Sequence, residues 1–564
     1  MLPLYDYVRA PGSECQPKAT LTENQMKTMP AIAFAVLCSV WTGYVPAEVL
    51  PASQKANAWY IDAESRLAGK LRDPRAGSAK NVIVFIGDGM GVSTLTAARI
   101  RQGQLAGKMG EEGLLSFETF PYTALVKTYN VDAQVPDSAG TMTAMMTGVK
   151  TNIGLLGVDE NARFGVCATV AGNELTTVLE LAEIKGLATG IVSTARLTHA
   201  TPAATYAKSA ERNWEDNSDL PDSALLGGCK DIADQLVNFE PYIEARFRGI
   251  DVDGIDVDGI DVDGIDVVLG GGRRHFLPDR GPGSPAGANS VIGGARTDGR
   301  DLTAEWQARY PTASYIVDQS GLDAIDTEMT SRLFGLFSES HMQFELDRST
   351  AGTGEPSLAA MTETAIRILD NNKKGFFLMV EGGRIDHAHH AGNASRALAE
   401  TIALADAVSV ALATTNADET LIIVTADHSH VFTIAGYPKR GNPILGKVMP
   451  VNGAKLALDT NGQAYTTLGY SNGPGARDGA APADADEAHA RGSLAAGRNL
   501  SETDTTTIDY RQEALVPLKS ETHGGEDVVM HASGAGAYLI QGVVEQNLVY
   551  HMINHALQLI DRRD

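Results

Sequence analysis

Residues 81–91 of the 564-residue chain read NVIVFIGDGMG. The first six residues form a continuous apolar run rich in β-branched side chains, which is typical of a strand buried on both faces of a parallel sheet. The run ends in Gly87-Asp88-Gly89, so it would present Asp88 at the carboxyl edge of that sheet. Open α/β sheets place their binding sites at this edge. The stretch therefore predicts both a fold class and the position of a site.

Three further runs have the same form, at residues 188–193 (ATGIVS), 375–380 (GFFLMV) and 420–425 (TLIIVT). Each is followed at once by polar side chains. Helical patterns lie between the runs, for example over residues 175–184 and 397–413, and strands that alternate with helices are characteristic of parallel sheets. We therefore predict an α/β fold with a doubly wound, mostly parallel central sheet flanked by helices.

The N-terminal residues have the pattern of a targeting segment. Met26-Lys27 precedes an apolar run over residues 31–41 and then small residues, as in a secretory signal peptide. The run is too short to span a bilayer. We predict that residues 1–47 are a leader and signal peptide, that the protein is secreted or periplasmic, and that the mature chain has no transmembrane segment. A buried N-terminal helix is the alternative.

Composition divides the rest of the chain. Residues 437–507 are rich in Gly, Pro, Asn, Ala and Asp without a long strand or helix pattern, which predicts a loop-rich insertion. The core would comprise residues 48–436 and 508–564.

The net charge of −24 argues against a nucleic-acid-binding module, because phosphate backbones require cationic surfaces. An acidic surface is also expected of a halophilic protein. Cys167 and Cys229 follow the predicted signal peptide, and an even pair in an exported protein suggests one disulfide.

Side chains that can bind a metal follow two of the predicted strands. Asp88 ends the first, and Asp427-His428 follows the run at residues 420–425. Carboxylate oxygen and imidazole nitrogen are suitable ligands for zinc. Each residue alone could equally cap a turn or a helix.

A third strand leads into a second group of such side chains. Glu381 opens the segment EGGRIDHAHH, in which Asp386 and His390 lie four residues apart and would share one helix face. His523 stands much later among glycines, where a lone histidine is usually structural. Several strand ends that all supply Asp, His or Glu predict a metal site more strongly than any one of them.

Ser138 is the candidate nucleophile. It begins a helix of small residues in the segment PDSAGTMTAMMTG, where backbone N–H groups and the positive helix end would stabilise an alkoxide or a bound phosphate. An Asp or Ser N-cap explains the local sequence equally well. The chain lacks a Gly-x-Ser-x-Gly elbow, which disfavours an α/β-hydrolase esterase. A serine without a neighbouring base would need activation by a metal.

Seven motifs, in order along the chain, carry a resemblance to a known family. They are FIGDGMG (85–91), PDSA (136–139), THATPA (198–203), ERNW (211–214), VEGGRIDHAHH (380–390), TADHSH (425–430) and SETHGGED (520–527). Together they resemble the alkaline phosphatases, of the type shared by animals and by marine or salt-adapted bacteria. The resemblance covers nearly all of the mature chain and implies hydrolysis of phosphate monoesters by double in-line displacement through a phosphoserine on Ser138.

The resemblance also implies two zinc ions and one magnesium ion per subunit. The ligands so implied are Asp386, His390 and His523 for the first zinc, Asp88, Asp427 and His428 for the second, and Asp88, Thr201 and Glu381 for magnesium. Arg212 matches the arginine that grips two phosphate oxygens, which suits the guanidinium fork. His199 and His387 stand where another bacterial type has Asp and Lys. An imidazole there can contact phosphate or water, so we expect both residues to act as modulators.

Two other features resemble the same family. The interval from Cys167 to Cys229 resembles a disulfide-bearing segment of the animal enzymes, and the insertion at 437–507 resembles the family's crown, which implies a homodimer. A sulfatase or a phosphodiesterase of the same metal superfamily is the first rival. Sulfatases need a Cys/Ser-x-Pro-x-Arg context that Ser138 lacks.

The repeat GIDVDGIDVDGIDVDGIDVVLGGG at residues 249–272 suggests the second rival, an exported calcium-binding or adhesive protein. Its acidic spacing lacks the register and terminal Glu of an EF-hand loop. An odd period also reverses the faces of a strand in each copy, so the repeat cannot keep one apolar side. We predict an acidic surface loop at residues 249–263, followed from Gly264 by a buried core strand.

Overall fold

The computed structural model of the protein describes residues 78–247, 251–252, 255–256, 262–279, 293–475 and 500–559. The predicted leader and signal peptide at residues 1–47 lies outside the described residues, as do nine of the fifteen residues of the predicted loop at 249–263. The described part begins just before the NVIVFIG run, and it includes every predicted site residue.

The strands and helices follow one another along the chain as the alternating pattern predicts. The strands are β1 (Asn81–Gly87), β2 (Tyr122–Lys127), β3 (Ala188–Arg196), β4 (Asp251–Val252), β5 (Ile255–Asp256), β6 (Val267–Gly271), β7 (Ser314–Ile316), β8 (Leu333–Leu336), β9 (Phe376–Gly382), β10 (Thr420–Ala426), β11 (Ser429–His430), β12 (Phe432–Ile434), β13 (Leu468–Gly473), β14 (Glu513–Pro517), β15 (His523–Gly524), β16 (Val528–Gly534) and β17 (Gly542–Glu545). The α-helices are α1 (Val92–Leu105), α2 (Ser138–Thr147), α3 (Val178–Ile184), α4 (Ala200–Ala203), α5 (Asp222–Leu226), α6 (Ile232–Val237), α7 (Phe239–Phe247), α8 (Leu302–Arg309), α9 (Gln319–Asp323), α10 (Glu345–Ala351), α11 (Leu358–Leu369), α12 (Arg384–His390), α13 (Ala394–Thr414) and α14 (Leu548–Leu557). Short 3-10 helices span Ser116–Thr119, Cys167–Thr169, Arg273–Phe276, Leu500–Glu502 and Ala537–Leu539.

A ten-stranded sheet forms the centre of the molecule, in the order β17-β2-β16-β10-β1-β9-β3-β6-β8-β7. Every neighbouring pair from β10 to β7 is parallel. β16 runs antiparallel to β10 and to β2, and β17 is parallel to β2. β16 is therefore the one reversed strand among the described strands of this sheet. The predicted α/β fold with a mostly parallel central sheet is confirmed.

The NVIVFIG run is β1, and it lies between β10 and β9 with all seven residues buried. Helices cover it from both faces, which is why the run is apolar throughout rather than alternating. On one face α13 contacts β1 and β9 and packs against α1, α11 and α12. On the other face α14 contacts β1 and packs against α2 and α3.

Helix α13 is long and apolar enough to cross a membrane by length and composition, with a mean hydropathy of 1.5. Half of that apolar window is buried inside the protein. Its side chains Leu398, Leu404 and Val408 are fully buried. This packing is that of a core helix, and within the described residues α13 is the one candidate span.

The end of the repeat enters the core as strand β6, between β3 and β8. The buried part begins earlier than the sequence predicted, because Val262 is only 4% exposed although it lies within the predicted surface loop. Asp263 of the same loop lies 3.2 Å from the Arg332 guanidinium. The last residues of the predicted loop are therefore part of the fold.

The predicted insertion at residues 437–507 contains a strand that the sequence did not predict. β13 pairs antiparallel with β12 and parallel with β14, which joins the insertion to chain segments on both of its sides. Residues 476–499 of the insertion lie outside the described residues. The boundaries of the insertion stay a prediction.

Candidate active site

The carboxyl ends of β1, β9 and β10 meet at one edge of the sheet and carry acidic side chains. Ile86 pairs with Glu381 on β9 and with Thr425 on β10, so the residues that follow these strands lie at the same level. Asp88, Glu381 and Asp427 are all fully buried. Three carboxylates without solvent repel one another, and such a cluster is stable when cations neutralise it.

The first cluster joins α12 to β15. Asp386 and His390 share one face of α12 as predicted, with Asp386 Oδ1 3.3 Å from His390 Nε2. His523 Nε2 lies 3.3 Å from the same carboxylate oxygen and 3.2 Å from His390 Nε2. His523 Nδ1 lies 2.8 Å from the carbonyl oxygen of Pro136, which orients its ring. One oxygen and two nitrogens thus face a common point.

The second cluster lies at the ends of β1 and β10. His428 Nε2 is 3.4 Å from Asp88 Oδ1 and 3.3 Å from Asp427 Oδ2. The Ser138 hydroxyl lies 3.1 Å from the same nitrogen. The backbone N–H of Gly89 donates to Asp427 Oδ1 at 3.0 Å, which fixes that carboxylate. Burial, and after it the Asp427 charge, raises the pKa of Asp88 well above its usual range.

The third cluster adds Glu381 to Asp88. Ligand-type atoms of Asp88, His199 and Glu381 lie within 4.8 Å of one another. Thr201 is fully buried on α4, the helix that begins directly after His199. Burial raises the pKa of Glu381 to about 8, although the Ser193 hydroxyl donates a short hydrogen bond to it.

The buried oxygens of these clusters fit metal ions. Within the part of the chain that the structure describes, both carboxylate oxygens of Asp88, Oδ2 of Asp427 and Oε1 of Glu381 accept no hydrogen bond. Buried carboxylate oxygens without donors are rare in folded proteins, because each costs its desolvation free energy. Together with the imidazoles, they form donor sets of the kind that zinc and magnesium use.

The candidate nucleophile begins helix α2. Asp137 is the N-cap residue and accepts the Gly140 backbone N–H at 3.1 Å, so the capping interpretation is correct for Asp137. Ser138 is the first helical residue and is 2% exposed. The free N–H groups and the dipole of α2 therefore favour negative charge beside the serine oxygen.

Asp137 also holds Arg212. The guanidinium Nη1 donates to Asp137 Oδ2 at 2.9 Å, and Asn130 Nδ2 donates to Oδ1 of the same carboxylate at 3.0 Å. Burial by itself would raise the pKa of Asp137, but the Arg212 charge and the backbone N–H groups outweigh it and lower the pKa below its usual value. Arg212 is thereby kept next to the start of α2.

His199 lies beside this arginine, and His387 lies next to His199. His199 Nε2 lies 3.2 Å from Arg212 Nη2, and burial, with the Arg212 and Arg196 charges, lowers the pKa of His199 to about 3. The ring centroids of His199 and His387 are 5.4 Å apart. Burial also lowers the pKa of His387, so both imidazoles are neutral, and His199 contacts the guanidinium.

Two residues that contact the site, His430 and Glu521, lie within the sequence motifs but are not among the predicted site residues. His430 is fully buried on β11, and its Nε2 lies 2.9 Å from Asp386 Oδ1 while Nδ1 lies 2.5 Å from Glu521 Oε2. Burial disfavours the charged ring, but the two carboxylates outweigh it and raise the pKa of His430 to about 10. The available signal was that His430 and Glu521 stand two residues from predicted ligands in TADHSH and SETHGGED.

Cys167 and Cys229 are joined in a disulfide, with a Cα–Cα distance of 5.9 Å. The two cysteines pack against a small apolar cluster that includes Ala210 and Trp214. The pair predicted from cysteine number is therefore confirmed, and it closes the segment that carries Arg212.

Comparison with known proteins defines the class of this fold and site. A sequence model of the alkaline phosphatase family matches residues 79–249 and 251–559. The chain is 42% identical to the tissue-nonspecific alkaline phosphatase of Gallus gallus over 539 residues, which covers 94% of each chain. It is also 42% identical to the tissue-nonspecific isozyme of Homo sapiens over 505 residues, which covers 88% of each.

Solved structures agree at the level of the fold. The alkaline phosphatase of Thermus thermophilus superposes with a TM-score of 0.57 at 22% identity, over 92% of this chain and 97% of that one. The alkaline phosphatase of the Antarctic bacterium TAB5 gives a TM-score of 0.54 at 21% identity, over 86% and 100%. The protein is thus a phosphoric monoester hydrolase built on an α/β fold. The chain belongs to the alkaline phosphatase family, and its substrates are phosphate monoesters.

Proposed function

We propose that the protein is an exported, metal-dependent alkaline phosphatase that converts phosphate monoesters to an alcohol and inorganic phosphate through a phosphoserine intermediate. The position of Ser138 carries this proposal. Its hydroxyl stands at the first residue of α2, 3.1 Å from His428 Nε2, with Arg212 held beside it by Asp137.

The donor sets support two zinc ions and one magnesium ion per subunit. Asp386, His390 and His523 would hold the first zinc, Asp88, Asp427 and His428 the second, and Asp88, Thr201 and Glu381 the magnesium. When bound, zinc lowers the pKa of a coordinated hydroxyl and stabilises charge on leaving oxygens. A variant of the TAB5 enzyme has been solved with magnesium in its M3 site, which supports a magnesium site in this fold.

The chain's own residues would perform the remaining steps. The Ser138 oxygen would lose its proton and attack phosphorus, the bond from phosphorus to the ester oxygen would break, and the alcohol would leave after taking up a proton. The N–H groups at the start of α2 and the Arg212 fork would bind the phosphoryl oxygens. Hydrolysis of the phosphoserine is a second in-line displacement, so configuration at phosphorus is retained overall. Asp137 keeps the guanidinium in place, and His199 and His387 modulate phosphate binding as neutral rings.

Export and assembly belong to the same proposal. The signal-peptide pattern and the disulfide support a secreted or periplasmic enzyme, because disulfides persist in oxidising compartments. Exposed apolar side chains on and near the insertion, such as Tyr437 and Leu515, support a homodimer formed through it. Size-exclusion chromatography with light scattering would measure the mass, and a monomer at micromolar concentration would contradict the dimer.

The function is tested with p-nitrophenyl phosphate. Ser138→Ala should lower kcat by at least about 1,000-fold and abolish acid-stable labelling from 32P-phosphate. Thr119→Ala removes an exposed hydroxyl that donates to the Ser116 carbonyl, and it should change neither. A chelator should inactivate the wild type, and zinc with magnesium should restore it. A higher kcat/KM on p-nitrophenyl sulfate or bis(p-nitrophenyl) phosphate would instead favour the sulfatase or phosphodiesterase rival. Retained activity in Ser138→Ala would overturn the phosphoserine route.

A further inference from the structure

His341 lies against the active site although no motif singled it out. It follows β8 in the loop at residues 338–342, and it is 6% exposed. Backbone hydrogen bonds hold this loop on the ends of two sheet strands. The Gly272 N–H donates to the Ser340 carbonyl at 2.7 Å, and the Met342 N–H donates to the Thr194 carbonyl at 3.0 Å. The backbone on each side of His341 is therefore fixed.

Arg196 fixes the imidazole as well. The Arg196 backbone N–H donates to His341 Nδ1 at 3.2 Å, and Arg196 Nη1 lies 2.6 Å from His341 Nε2. The guanidinium is itself held by Glu215, with Nε 2.9 Å from Oε2 and Nη2 2.8 Å from Oε1. His341 Nδ1 accepts the Arg196 backbone N–H, and burial and then the Arg196 charge lower the pKa of the ring, so the ring is neutral with Nδ1 as its acceptor. His341 acts here by shape and not by charge.

The anchored ring packs on the imidazoles of His387 and His199, of which His199 contacts Arg212. Its centroid is 4.0 Å from that of His387 and 5.3 Å from that of His199. Nδ1 of His387 is buried and has no hydrogen-bond partner among the described residues. Because no hydrogen bond at that nitrogen holds the His387 ring, packing must set its orientation.

We propose that His341 is a positioning residue that sets the orientation of His387 and, through it, the affinity of the site for the phosphoryl group. The inference rests on the proposed function, in which His387 modulates phosphate binding. Removal of the His341 ring leaves a void on the contacted face of His387. The His387 side chain then gains conformational entropy, which it must lose again when phosphate binds.

The test compares variants of the metal-loaded enzyme with wild type or His387→Ala as background. His341→Ala should raise KM for p-nitrophenyl phosphate and Ki for inorganic phosphate about 3- to 10-fold with kcat within about twofold. In the His387→Ala background the same substitution should change KM and Ki by less than about twofold, because its target is absent. His341→Gln, which retains an acceptor for Arg196 without a ring, should behave as His341→Ala does.

Ser340→Ala is the matched control, because the Ser340 hydroxyl accepts from the same Arg196 Nη1 at 3.2 Å. It should leave KM and Ki within about twofold. The proposal fails if His341→Ala changes neither constant, if its effect is equal in both backgrounds, or if His341→Gln restores the wild-type constants. Melting temperatures check that each variant is folded. Loss of wild-type hydrolysis, or its persistence in Ser138→Ala, would mark a failure of the proposed function instead.

Discussion

Removal of the disulfide is expected to weaken both the fold and the active site. Cys167 and Cys229 are 62 residues apart, and the segment between them carries His199, Thr201 and Arg212. Substitution of both cysteines by serine removes the cross-link and leaves their surroundings, the apolar cluster around Trp214, in place. The cross-link therefore restrains a segment that supplies three predicted site residues.

The size of the effect follows from the length of the closed loop. Loop-closure entropy for about 60 residues corresponds to about 4 kcal/mol at 25 °C. A folded chain of this length has an unfolding entropy of about 1 kcal/mol per kelvin, so the melting temperature should fall by about 4 °C. Because the released segment includes Arg212, the Ki for inorganic phosphate should also rise.

Urea unfolding of the double serine variant and of the wild type measures the difference directly. Wild type treated with tris(2-carboxyethyl)phosphine is the matched control, since it loses the bond and keeps both cysteines. The two samples should agree in stability. A loss below about 1 kcal/mol in both would refute the reasoning, because it would mean that packing alone already restrains the loop.

Three other outcomes are expected. Burial raises the pKa of Asp266 to about 7, so its contribution to stability is complete below about pH 4 and is lost as the pH rises through 7. Asp266→Asn should reduce this pH-dependent loss in the free energy of unfolding, measured with urea, by up to ~4 kcal/mol. Gly264 has a φ of 86° and a Cβ there would lie 2.5 Å from the Tyr310 hydroxyl, so Gly264→Ala should lower the free energy of unfolding by about 1–3 kcal/mol. Gly299 has a φ of 74° in open space, so Gly299→Ala should lower it less. Deletion of residues 252–261 keeps the repeat copy that enters β6, so kcat/KM should stay within about twofold; a larger loss would show that the repeat supports the site.

The repeat carried two predictions, a buried core strand from Gly264, which is correct, and a surface loop at residues 249–263, which is incomplete. Replacement of Asp by Val at position 268 relative to the earlier copies marked the start of a buried strand, and Val268 does lie in β6. The pattern gave no sign that Val262, identical in sequence to Val252 and Val257, would be buried. Identical pentapeptides have identical propensities, so the burial of Val262 follows from its place next to β6 and not from its local sequence.

The sequence by itself determined the sheet and brought together several residues of the proposed metal-ligand set. Apolar runs that end in polar residues specify parallel strands, and parallel strands bring Asp88, Glu381 and Asp427 to one edge whatever else the chain does. The four-residue spacing of Asp386 and His390 likewise placed both on one helix face.

The tertiary structure alone decided what surrounds those ligands. His430 lies 91 residues from Glu521, Asp137 lies 75 from Arg212, and His341 lies 145 from Arg196, yet each pair is in contact. No local pattern encodes such pairs, because helical and strand periodicity relate only residues that are near one another in the chain. Their partners are chosen by the order of strands in the sheet, which places the loop after β8 beside the ends of β3 and β6.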